Sequence, residues 1–112
     1  MEDSILISIK KLLGLTANDT AFDMDIIMHI NSVFMILRQL GIGPEEGFRI
    51  EDKDATWDDY VDEEDNLEAV RTYIYLKVKL IFDPPLSSAV IEANKQIINE
   101  LEWRLNNEVE LK

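Results

Sequence analysis

Two adjacent prolines, Pro84 and Pro85, cut the C-terminal half of this 112-residue chain into two helical patterns. Proline lacks an amide hydrogen and its ring collides with the preceding turn, so a helix arriving at Phe82-Asp83 has to stop there. Before the break, Leu67, Val70, Ile74, Val78 and Ile81 recur at helical spacing. Ala69, Tyr73, Leu76 and Leu80 make a second apolar stripe, while Arg71, Thr72, Tyr75 and Lys79 fill the remaining arc. A helix apolar over more than half its girdle belongs at the centre of a bundle. It is expected to begin near Asp65, where Asp65 and Glu68 have capping-box spacing. After the break, Ser87 or Ser88 is placed to cap a last helix. In that helix Val90, Ala93, Ile97, Leu101 and Leu105 face one way with Ile91 and Ile98 alongside. The polar tail, 106–112, is expected to fray.

The N-terminal half is punctuated by glycine instead. Ser4 to Gly14 reads as a short amphipathic helix with Asp3 or Ser4 as its cap and Gly14 as its stop. A polar linker, 15–21, leads to a long helix from about Asp23 to Leu40 that ends at Gly41. Ile26, Ile30, Val33, Leu37 and Leu40 form its core stripe, widened by Ile27 and Phe34. Met28 and Met35 stand on the opposite side among Asn31, Arg38 and Gln39. Two methionines stacked on a polar face predict a second, smaller contact. Gly41 to Gly47 is turn material. Phe48–Ile50 and Ala55–Trp57 could pair as a two-stranded ribbon, marginal alone and leaning on the helices through Phe48, Ile50 and Trp57. Residues 57–61 read as one helical turn. The expected fold is all-α: a single domain over 1–112, a small bundle of about four main helices with a minor two-stranded β-ribbon.

Composition narrows the partners. A hydrophobic fraction of 46% fits a folded chain. The absence of cysteine excludes disulfides and thiolate metal sites. No secretory signal and no apolar run of membrane-spanning length stand out, so a soluble protein is expected. A net charge of −12 argues against gripping phosphate backbones or anionic membranes. The acid is bunched: 51–68 holds Glu51, Asp52, Asp54, Asp58, Asp59, Asp62, Glu63, Glu64, Asp65 and Glu68, with Lys53 as its one base.

Reactive constellations do not form. His29 is the only histidine, and its neighbours Asp25 and Ser32 suit a helix-surface pair better than catalysis. An EF-hand reading from Asp52 fails, because Thr56 and Trp57 occupy positions that need an oxygen ligand and a glycine. Gly41-Ile42-Gly43 runs into Pro44 and lacks the rest of a phosphate loop. No enzyme and no cofactor are expected. The surplus of apolar surface instead names Met28, Met35, Tyr73, Leu76, Leu80, Trp103 and Leu105 as candidate contacts with other subunits or partners.

The segments 22–48, 55–61, 66–85 and 87–106 together resemble the small head–tail connector proteins of tailed bacteriophages, also called head-completion or adaptor proteins. FDPP followed by SSAVIEA is the most specific wording; the acidic stretch Asp62–Asp65 is the least expected part. The resemblance implies a non-enzymatic virion protein, present in the host cytoplasm during assembly. It implies a self-assembled ring, commonly dodecameric, docked beneath the portal protein. Such a ring extends the DNA channel and supports a stopper or tail-completion protein, with DNA passing through unbound. The acidic residues from Glu51 to Asp65 would then face the lumen, where a negative wall offers DNA no counter-charge. A different reading is an acidic DNA mimic or regulatory interaction module, which would spread its carboxylates over one face rather than bunch them.

Overall fold

A computed structural model describes residues 4–60 and 67–111, the last four of these as backbone only. Among these residues five helices follow in order: α1 (Ile5–Leu12), α2 (Asp23–Gln39), α3 (Trp57–Tyr60), α4 (Leu67–Phe82) and α5 (Ser88–Leu111). The expected Asp65–Glu68 cap lies partly outside the described residues.

α1 and α2 end by one device. Leu13-Gly14-Leu15 and Leu40-Gly41-Ile42 each put glycine in the left-handed region, with φ of 88° at both. Leu15 N–H donates to Lys10 O and Gly14 N–H to Lys11 O; Ile42 N–H donates to Leu37 O and Gly41 N–H to Arg38 O. These are Schellman closures, which satisfy the last carbonyls and fold an apolar residue back onto the helix. At the other end of α1, Ser4 Oγ accepts from Ile7 N–H. α4 stops at Phe82 before the prolines, and Ser87 rather than Ser88 caps α5 by accepting from Val90 N–H.

α4 is the centre. It packs against α1, α2 and α5, and Val70, Tyr73, Ile74, Leu76 and Val78 are buried. Around them lie Ile5, Leu6 and Ile9 of α1 and Ile26, Ile30, Val33, Phe34 and Leu37 of α2. α1 also buries a lysine. Lys10 is 1% exposed, and its ammonium meets Ala17 O at 3.3 Å, Asp19 O at 2.5 Å and Asp23 Oδ1 at 2.8 Å. The contact with Asp23 is an ion pair. Two carbonyl acceptors and one carboxylate counter-charge make burial tolerable and pin the α1–α2 linker.

The two-stranded ribbon does not form: there is no strand among the described residues. The backbone groups it would have paired go elsewhere. Asn31 on α2 donates from Nδ2 to Ile50 O at 2.9 Å and accepts from Ile50 N–H at 2.7 Å. One side-chain amide thus does for Ile50 what a neighbouring strand would have done. Ala55 O accepts from Ile5 N–H, and Ser4 bridges Thr56, so the second half of the supposed hairpin pairs with the start of α1. Phe48, Ile50 and Trp57 do lean on the helices. Ile50 and Trp57 are buried, and Phe48 joins Phe34 and Tyr60 in a ring cluster with centroids 4.6–5.2 Å apart. Gly43 (φ 89°) backs directly onto Tyr60, where an added Cβ would lie 2.7 Å from the ring.

α5 departs from expectation twice. It continues through Leu111 instead of fraying after 105. Its inward face is Ile91, Ile98, Leu101 and Leu105, while Val90, Ala93 and Ile97 are exposed. Tyr73 Oη donates to Glu102 Oε2 across the α4–α5 seam. That part-buried bond and the buried Ile98 and Leu105 lie on the same side of α5.

Candidate interaction surfaces

The outer face of α2 carries a row of methionines. Met28 and Met35 are each 59% exposed, and Met24, one turn earlier, is 82% exposed. Met24 was missed in the sequence although its i−4 spacing from Met28 is the signal that places it on this face. Because Asn31 clamps Ile50 to the middle of α2, the extended segment around Arg49 stands beside the methionines. An open groove of about 750 Å³ runs between them. Asp25 and Glu51 lie on its border with Arg49. Nothing in the sequence announces that Arg49 shares a groove with α2, since the pairing rests on the Asn31 side chain.

α5 offers a second apolar surface. Trp103 is 66% exposed. Val90 and Ile97 are exposed on another side of the same helix, with Ile81 and Leu86 at the α4–α5 corner. The other candidate contacts sit differently. Tyr73, Leu76 and Leu105 are buried in the chain's own core, and Leu80 is half-buried against it. Their apolar surface is already consumed by α2, α4 and α5, because the helix with two stripes is used on both sides within one chain. Tyr73 and Tyr60 also have phenols held well above their ordinary ionisation range. Burial is the main cause, and for Tyr73 the Glu102 carboxylate adds to it.

The acidic stretch is tied down at its root. Glu51, Asp52, Asp54, Asp58 and Asp59 are exposed, while Asp62, Glu63, Glu64 and Asp65 lie outside the described residues. Asp52 accepts from Asp54 N–H at 2.8 Å, a local turn bond. Asp59 accepts from Thr56 N–H and Thr56 Oγ1 from Asp59 N–H, a capping box that starts α3. Ser4 Oγ donates to Lys53 O, Trp57 Nε1 donates to Ser8 Oγ, and the Arg71 guanidinium sits 5.4 Å over the Trp57 ring. The carboxylates are therefore presented from a fixed base at the N-terminus of α1. Among the described residues no group of three or more His, Cys, Asp or Glu is arranged to hold a metal ion. Likewise, no helix is long and apolar enough to cross a membrane. The arrangement is one of surfaces for contact: a methionine groove, a half-free helix and an anchored acidic loop.

Compared with known proteins, residues 5–112 match a family model described as phage connector protein. No curated protein and no solved structure matches the chain.

Proposed function

This chain belongs to the phage connector protein family, and we propose that it serves as a head–tail connector that assembles as a ring beneath the portal. The observation that carries the ring is the state of α5. One face is sunk against α4, and apolar side chains remain open on two others, Val90 with Ile97 on one side and the single Trp103 on another. Two different apolar sites on one rod suit a head-to-tail contact, in which each copy offers one site to each neighbour, and contacts of that kind form a ring when the rotation between neighbours closes. In such a ring the anchored acidic loop from Glu51 onward faces the lumen, and DNA passes without being held. The opposite rim supports the stopper or tail-completion protein.

Electron microscopy of the chain mixed with its cognate portal tests the whole reading. The expected result is added ring density below the portal, of commonly dodecameric order, with residues 51–59 on the inner wall. A chain that stays monomeric and leaves the portal undecorated overturns it. Acidic residues on the outer rim overturn the lumen assignment alone.

A further inference from the structure

We propose that the methionine groove on α2 is a docking site for a basic, amphipathic helix belonging to a different protein. The apolar part comes from Met24, Met28 and Met35, spaced one and two turns apart so that their side chains follow the length of α2. A helix laid along them would place residues at i, i+3 or i+4, and i+7 against the row. Methionine is unbranched and polarizable, so such a row accepts apolar side chains of varied shape. The opposite wall is held in place, since Asn31 secures both the N–H and the C=O of Ile50. The groove therefore exists before any partner arrives, which lowers the ordering cost of binding.

Charge selects the occupant. Asp25 and Glu51 border the groove, and the exposed Asp52 and Asp54 follow Glu51 along the chain; Arg49 is the cation among the lining residues. A partner helix with lysine or arginine flanking its apolar stripe meets complementary charge there. A second copy of this chain does not fit that description. It carries a net charge of −12. Its own basic apolar run, from Arg71 to Lys79, has its apolar faces buried in α4's core contacts. This inference needs no oligomer and stands or falls apart from the ring reading, which rests on α5.

The test uses the full chain with carbon-13 methyl-labelled methionines and two synthetic amphipathic helices of about 18 residues, one built of leucine and lysine and one of leucine and glutamate. The leucine–lysine peptide is expected to bind and to shift the methyl signals of Met24, Met28 and Met35. The double variant M28K/M35K should stay folded, its side chains being solvent-exposed, and lose at least about tenfold in affinity. Raising the salt should weaken binding further. Equal binding of the glutamate peptide overturns the charge argument. Binding of the lysine peptide that leaves the three methyl signals unmoved places it on the acidic loop instead, and absence of binding removes the site. Methyl shifts that follow protein concentration without peptide would make a second copy the occupant and overturn the proposal as well.

Discussion

α1 and α5 stand at opposite ends of one scale. α1 spans eight residues and buries five of them, a lysine included. α5 spans 24 residues, and of its described side chains only Ile98 and Leu105 are buried. The short helix packs against both α2 and α4, whereas the long one packs chiefly along α4. Length is therefore a poor guide to what an element contributes. The eight-residue helix secures the core, and the 24-residue one leaves most of its girdle exposed.

Alanine in place of Ile9 or Ile98 is the sharpest way to break that contrast. Ile9→Ala should cost about 2–5 kcal/mol, and Ile98→Ala should fall at or below the bottom of that range, because solvent can relax around a helix covered on one side. Urea unfolding with an unchanged slope reads both. Equal losses would show that α5 is core after all. Next in size is Lys10→Ala, expected to cost about 2–3 kcal/mol because it strands three oxygens around the ammonium site. Lys10→Met, which keeps the stem, should cost less, and a larger loss would mean that the packing of the stem is not what holds the site.

The seam between the two helices is tested by Tyr73→Phe, expected to cost about 1–1.5 kcal/mol. Its pH dependence has a definite sign. Folding holds the Tyr73 proton more tightly than the unfolded chain, whose tyrosines ionise near their ordinary value of 10.0. The stabilisation is thus intact below pH 10 and is lost as the unfolded chain gives up the proton above it. Tyr60 acts in the same sense. Stability measured between pH 9 and pH 11 should fall less steeply in Tyr73→Phe, and an unchanged slope would show that the phenol is not held as the seam implies. The smallest effect is Trp103→Ala, expected to stay within about 0.5 kcal/mol in the isolated chain. A larger loss by thermal unfolding would place Trp103 in an intramolecular contact and weaken α5 as the ring surface.

Much of this was readable from residue order. The double proline, the Leu-Gly-Leu and Leu-Gly-Ile helix ends and the two stripes of α4 are local signals, acting over a turn or two. The exposure of Met28 and Met35 follows from their register against the Ile26–Leu37 stripe. The wording around FDPP and SSAVIEA pointed to the family that the match over residues 5–112 shows. The ribbon went wrong because Ile50 and Ala55 found partners 19 and 50 residues away in sequence, Asn31 and Ile5. No pattern in their own segment encodes a distant side-chain amide.

The same limit applies to α5 and Lys10. Residue order determined that 88–105 would be a helix with one apolar face, because helix formation depends on neighbours three and four positions away. It left two aliphatic flanks nearly equal, and packing along α4, with the Tyr73–Glu102 bond across the seam, decided between them. It placed Lys10 near the end of α1, where a cation suits the helix dipole. Only the return of the linker, with two carbonyls and a carboxylate converging on one ammonium, allowed that charge to be buried. Local order selects elements and their faces, and tertiary packing decides which face is covered and which remains free to bind, since burial is settled by partners far away in the chain.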